Sequence, residues 1–421
     1  MKKKALEIIK HPLVYGSSIV VIGGLVANFF HFLFNLFMSR NLSVADYGTL
    51  ASIVSLIGFP GLILAALNPL VVSFAGESFA KNELGQIRAF YIKLIKFLSG
   101  IGLLLTLLFV LFSGNISSFF HIGNMLVMYF AAFIIFLSFL GVVNLALLQA
   151  KLAFGFQVFL SLLGAVIKLL LGVLFVYLGF AVNGAVFALA ASGLFLYVAS
   201  FFPVKFLFNK KLISEYTVTT KELFSYGIPS ALTLFGLTSF ISSDVLLVKH
   251  FFPSEMAGIY AGMSLMGKVI FYIIAPIIGV MFPIIVRKHS KSENFNSTFL
   301  FSLFLVSVPS FFLTLIYFIF PKIAILFFLK KTEYQVIAPM LGFFGIFISL
   351  YCLLFITANF YLSIKKTNVY IPILIGAILQ VILISIYHEN FLQIITISTS
   401  ITFLLVLGLL VYYPHATKKR L

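Results

Sequence analysis

The chain has 421 residues, of which 62% are hydrophobic and 9% charged, with 53 phenylalanines and a mean hydropathy of +1.18. A soluble domain is nearer half apolar and a quarter charged, so this composition excludes one and points to a polytopic membrane protein. The formal charge of +17 would suggest nucleic acid in a soluble protein, but here the cations stand in short segments between apolar runs, where they anchor topology and imply no nucleic-acid partner.

A helical span needs about 20 apolar residues, and roughly 35 residues per span and loop gives about twelve spans for this length. They are predicted near 13–39, 47–75, 90–113, 125–149, 153–178 and 182–207, then 223–249, 256–285, 296–320, 334–363, 367–387 and 391–413. Barrel strands would be about ten residues long with alternating polarity, which these runs are not. Lys2, Lys3, Lys4 and Lys10 before an apolar stretch resemble a signal peptide, but the length of that stretch favours an uncleaved first span. The fold class expected is an all-α polytopic membrane protein.

Cations set the orientation. With the N-terminus cytoplasmic, inside segments carry 21 of the 28 lysines and arginines and outside segments carry 5: Arg40, Lys249, Lys322, Lys330 and Lys331. Both termini are therefore expected in the cytoplasm, with the protein in the inner (cytoplasmic) cell membrane. The last three of those outer cations dissent from the rule.

The chain repeats itself at an offset of about 210 residues. Tyr15-Gly16 aligns with Tyr226-Gly227, Gly48 and Ala51 with Gly258 and Ala261, and Lys81 and Glu83 with Lys291 and Glu293. This predicts two six-helix lobes in parallel orientation, 1–207 and 223–421, joined by a cytoplasmic linker at 208–222.

Catalytic chemistry has no visible seat. The histidines are scattered, no carboxylate pair recurs at a useful spacing, and no Gly-rich phosphate loop with its lysine is present. No enzyme, cofactor or metal site is expected; the single cysteine, Cys352, excludes an internal disulfide and a multi-thiolate centre. Polar groups inside the spans carry the signal instead. Lys168 and Lys268 each lie roughly 15 Å below the outer rim at about 1.5 Å per residue, where a lysine costs about 2.5–3.5 kcal/mol. Their equal depth suggests a shared aqueous cavity, and each heads a stripe at helical spacing: Gln157, Ser161, Gly164, Lys168 and Gly172, and Tyr260, Ser264, Lys268 and Tyr272. Snorkelling, or pairing with Asp244, is the alternative.

Asp244, about five residues from the outer end of span seven, reads as a rim charge paired with Lys249 or as a coupling site for protons or sodium. Asn28, His31 and Asn35 share a face of span one with Gly24 and Ser39, turned to a cavity or to another helix. Glu77 reads as a solvated helix-end charge. Pro60 and Pro69 in span two and Pro276 and Pro283 in its repeat partner, span eight, are expected hinges or static kinks.

The stretch FLFNLFMSRNLSVADYGTLASIVSLIGFPG resembles the opening of the polysaccharide flippases of the multidrug/oligosaccharidyl-lipid/polysaccharide exporter (MOP) superfamily, through Arg40, Leu42, Asp46-Tyr47-Gly48 and the small-residue span that follows. Asp244 to Lys249 with Ala257-Gly258-Ile259-Tyr260-Ala261 resembles the stretch opening the second lobe, and Gly179 to Ala185 also fits. The resemblance implies twelve helices in two lobes, a central cavity lined by spans one, two, seven and eight, and export of lipid-linked oligosaccharides by alternating access. It puts Lys268 and the span-one stripe in the cavity as substrate-binding residues; Ser264 and Tyr272, on the Lys268 stripe, are expected to bind beside them, and Lys168, on span five, is expected as a weaker second contact. Drug-exporting relatives carry carboxylates within the lobes, where this chain carries two lysines. Peptidoglycan-precursor flippases carry two further C-terminal spans. The expected function is thus flipping of an undecaprenyl-type pyrophosphate-linked glycan, since lysines in a low-dielectric cavity favour a pyrophosphate. Partners would be that anionic glycan lipid, membrane lipids, and a glycan polymerase or glycosyl transferases. A cation-coupled multidrug exporter is the alternative, and a non-transporting scaffold or enzyme subunit a third reading.

Overall fold

The computed structural model describes residues 12–209, 221–291 and 293–417. The terminal lysine clusters and most of the expected linker lie outside the described residues, as do the side chains of Tyr15, Pro69, Glu77 and Tyr226. In chain order the helices are α1 (Pro12–Asn41), α2 (Val44–Ala80), α3 (Leu84–Leu111), α4 (Ser113–Phe119), α5 (Met125–Ala150), α6 (Phe154–Tyr177) and α7 (Ala181–Ala199). After a 3₁₀ segment at Phe202–Phe208 come α8 (Lys221–Phe240), α9 (Ser243–Phe251), α10 (Ser254–Ser290), α11 (Asn296–Ile319) and α12 (Pro321–Leu329). The last three are α13 (Ala338–Ser363), α14 (Tyr370–Ile386) and α15 (Phe391–Thr417). Among the described residues no strand occurs, as an all-α membrane fold requires.

Ten of these helices are long and apolar enough to cross a membrane, and α8 with α9 makes an eleventh. With the 37-residue α2, the expected count of about twelve is met. Three details differ from the sequence reading. Span six ends as an α-helix at Ala199, and its expected remainder winds as a 3₁₀ turn around Pro203. Short helices α4, SGNISSF, and α12, PKIAILFFL, follow α3 and α11, and each is too short for helical periodicity to show in the sequence. Span seven is not one rod: α8 and α9 meet at 42°.

The chain forms two compact units, Met1–Phe34 with Pro60–Ile228, and Asn35–Phe59 with Pro229–Leu421. It passes between them three times, at Phe34–Asn35 inside α1, at Phe59–Pro60, where Pro60 is one of the expected hinge positions, and at Ile228–Pro229.

In the first unit α5 packs against α3 and α7, and α6 packs along α7. Small residues permit the approach: a Cβ on Gly164 would stand 2.5 Å from Leu196, and one on Gly184 would stand 2.6 Å from Phe175. Asn124 caps α5 by accepting from the Leu126 amide at 3.0 Å and donates to Asn183 at 2.8 Å, tying the start of α5 to the start of α7.

In the second unit α13 is central, packed by α10, α11 and α15, with Phe344, Phe347, Tyr351 and Tyr361 fully buried along it. The break between α8 and α9 frees the Phe240 carbonyl, which would be costly in an apolar interior. Gln380 on α14 answers it, donating to that carbonyl at 3.2 Å and to Ser398 at 2.8 Å. Ser239 and Ser243 bond across the break at 2.8 Å.

Residues 35–59 are fastened to the rest of this unit by several bonds. Ser43 and Asp46 form a reciprocal cap at the start of α2. Arg40 donates from Nε to the Phe328 carbonyl and from Nη2 to the Phe327 carbonyl, both at 2.7 Å, serving the C-terminal carbonyls of α12. Lys331 donates to the Leu42 carbonyl. The motif Arg40, Leu42, Asp46 and Gly48 is thereby a structural clasp, and two of the five cations expected outside have defined partners in it.

Candidate functional site

In the first unit the α1 stripe meets α6. Lys168, 9% exposed, places Nζ 2.7 Å from His31 Nδ1 and 4.6 Å from the centroid of the Phe34 ring. Two basic groups at that distance need one lone pair between them, so the contact excludes a fully protonated pair and holds at most one positive charge. The ring face adds cation–π attraction. Lys168 and His31 are therefore brought together. Asn28 and Asn35, on the same stripe of α1, are half-buried.

The first unit also holds a cavity of about 560 Å³ lined by Asn68, Ser138, Gln149, Gln157 and Tyr197 among apolar residues. Asn68 donates to Gln149 at 3.0 Å. Amides and a tyrosine on an otherwise apolar wall are hydrogen-bonding groups without net charge, suited to a hydroxyl-bearing molecule.

In the second unit, the stripe on α10 faces α9. Asp244 is 1% exposed and is not a solvated rim charge. The reason is the break in span seven, which turns Asp244 into the first turn of α9 beside α10. Its Oδ2 accepts from the Tyr260 hydroxyl at 2.8 Å and its Oδ1 from the Val245 amide at 2.8 Å. Lys268, two turns along α10 from Tyr260, acts electrostatically on the same carboxylate. The expected pairing of Asp244 with Lys249 gives way to another: Lys249, itself 1% exposed, donates to Ser254 at 3.1 Å and is drawn to Asp46. Ser264 is buried and Lys268 half-buried on the stripe, and Tyr272 lies one turn further on. Of the expected hinges, Pro276 and Pro283 lie inside α10, and Pro60 lies inside α2.

Sequence reading missed three participants. Tyr260 was visible as part of the stripe, but its bond to Asp244 depends on the bend. Phe34 looks like any lipid-facing ring among 53 phenylalanines. Gln380 was detectable as a lone amide in an apolar span, a residue type that demands a partner.

Among curated proteins none matches this sequence. Solved structures share the fold. A multidrug resistance MATE family transporter of the MOP superfamily, inward-facing, superposes at a TM-score of 0.75 with 13% identity, covering 94% of this chain and 96% of that one. The lipid II flippase MurJ in its inward closed conformation gives 0.72 and 14%, over 92% and 87%. The eukaryotic MATE transporter AtDTX14 gives 0.66 and 16%, over 95% and 94%. With that fold underneath it, the match of residues 37–339, well over half of the chain, to the family described as Polysaccharide biosynthesis protein means that the chain belongs to this family.

Proposed function

We propose that the protein is a flippase that carries an undecaprenyl-type pyrophosphate-linked oligosaccharide from the inner to the outer leaflet by alternating access, for surface polysaccharide biosynthesis. One observation carries the reading: the buried Lys168 is hydrogen-bonded to His31 and lies over the Phe34 ring, so two basic groups stand together among apolar helices, a setting that favours an anionic ligand. A pyrophosphate approaching the pair supplies the negative charge that lets both groups be protonated. In a low-dielectric site that exchange is strongly favourable. The amide-lined cavity of the first unit supports the same reading, because sugar hydroxyls need neutral donors and acceptors.

In this scheme Lys268, Ser264 and Tyr272, with Asn28 and Asn35, form the remaining polar lining, and Asp244 is the coupling group. The sequence halves 1–207 and 223–421 are the alternating lobes, except that residues 35–59 go with the second; the linker 208–222 and both termini are cytoplasmic, and the prolines of α2 and α10 are the flexing points. The chain performs no covalent chemistry; glycosyl transferases and a polymerase act before and after it. An inside-negative potential favours outward movement by about 2.3 kcal/mol per negative charge per 100 mV. Flipping of a fluorescent lipid-linked glycan in vesicles of clamped potential tests the proposal: activity in Lys168→Ala equal to the parent would refute it.

The buried Asp244–Tyr260 pair supports one second reading, a cation-coupled multidrug exporter. That reading requires Asp244→Asn to sensitise cells to cationic dyes while surface polysaccharide stays intact.

A further inference from the structure

The second unit holds a cavity that the transport site does not use. It has a volume of about 700 Å³ and lies where the turn between α13 and α14 meets α15. Its lining changes character with depth. Lys365 and Lys366, both exposed, stand at the turn with Thr367 and Asn368, while Leu404, Leu405 and Leu409 of α15 form the apolar wall. Tyr361 and Tyr412 stand between, their ring centroids 5.9 Å apart.

The turn is held in place. Lys365 takes a left-handed φ of 59°, its amide donates to the Leu362 carbonyl at 3.1 Å, and the Lys366 amide donates to the Tyr361 carbonyl at 2.9 Å. These are the paired bonds of a helix C-terminal Schellman turn. Tyr361 also donates its hydroxyl to the Leu409 carbonyl at 2.6 Å, locking α13 to α15 at the cavity wall. Among the described residues lining it there are two cations and no carboxylate. Outward from the wall, Leu404, Leu407 and Val411 on α15 are exposed and continue the apolar surface along the helix.

Two cations and small polar groups at the end of a membrane helix, tyrosines at the interface and an apolar track beyond match the sequence of groups in a phospholipid: phosphate, glycerol ester, acyl chain. We propose that this cavity is a binding site for an anionic membrane phospholipid, whose phosphate is held by Lys365 and Lys366 and whose acyl chain lies along α15. The lipid is a resident of the leaflet that the 365–369 turn faces, and the site is separate from the one that handles the flipped glycan. Gly408 lines the cavity, and a Cβ built there meets no atom within 4 Å, so the space beside it is open to an acyl chain.

Native mass spectrometry of the purified full chain, titrated with phosphatidylglycerol, phosphatidylcholine or inorganic phosphate, tests this. The expected result is one copy of phosphatidylglycerol bound ahead of all others. In Lys365→Gln with Lys366→Gln, loss of two cations should weaken that copy about 30-fold, with phosphatidylcholine unchanged. Gly408→Phe, which fills the cavity without touching the lysines, should remove the same copy and so decides the matter if the double variant folds poorly. Unchanged phosphatidylglycerol binding in a folded variant of either kind overturns the proposal. Displacement of the lipid by millimolar phosphate also overturns it, because the site would then recognise free phosphate. Flipping activity is not a readout of this experiment, so its outcome leaves the transport reading to its own test.

Discussion

Gly48 and Gly258, equivalent positions in the two halves of the sequence, lie against each other: a Cβ on Gly48 would stand 2.7 Å from the Gly258 amide nitrogen, and one on Gly258 would collide with the Val44 carbonyl. Repeats conserve a residue's environment, but here the repeat also makes the two copies each other's neighbour. Only hydrogen side chains allow the first turns of α2 and α10 to cross so closely. Gly258→Ala is expected to destabilise the protein by about 1–3 kcal/mol, as overpacking of a closed contact does. Melting in detergent should show it, while Gly279→Ala on the same α10, where nothing lies within 4 Å, leaves the melting temperature unchanged.

The contact between Lys168 and His31 predicts a coupled loss. Lys168→Ala should reduce flipping about 10- to 100-fold, the scale of a charged hydrogen bond, and Lys168→Arg should retain part of it, since charge survives with altered shape. His31→Ala combined with Lys168→Ala should be no worse than Lys168→Ala alone, a non-additivity visible in a double-mutant cycle of transport rates.

Lys268→Ala is expected to abolish transport with protein level unchanged. A snorkelling lysine would give the opposite, a harmless or stabilising substitution, because a costly charge has been removed. Quantified immunoblots beside the vesicle assay distinguish the two.

Gln380→Leu leaves the Phe240 carbonyl without its donor at the α8–α9 break. A loss of about 1–3 kcal/mol is expected, read as a lower melting temperature.

Reporter fusions after Gly123 and Asn390 should read as outside, and those after Lys211 and Lys419 as inside. An outside signal after Lys211 would break the assignment of the linker to the cytoplasm.

Much of this fold is written in its composition, because a span is a local property: length and apolarity fixed the twelve helices to within a few residues at most ends. Pairing is not local. Lys168 and His31 were each visible as polar positions on a helical face, yet they are 137 residues apart and periodicity says nothing about which faces meet. Asp244 was read as open to solvent because the bend that turns it against Tyr260 cannot be seen along a straight helix. The break at Ile241–Ser242 carries neither glycine nor proline, and the group that makes it tolerable, Gln380, lies 140 residues away from Phe240. The outer cation Lys331 looked like an exception to a charge rule, whereas it donates to the Leu42 carbonyl of the clasp.

That clasp has a consequence for biosynthesis. Asn35–Phe59 packs with Pro229–Leu421, so a segment made early belongs to a body made late. About 210 residues separate Gly48 from its neighbour Gly258, which at roughly 5–20 residues per second is about 10–40 s of translation. Through that interval Arg40, Gly48 and the amphipathic turn between them wait for their partners, and the ribosome-bound chain holds an unfinished hairpin that only the second half can complete.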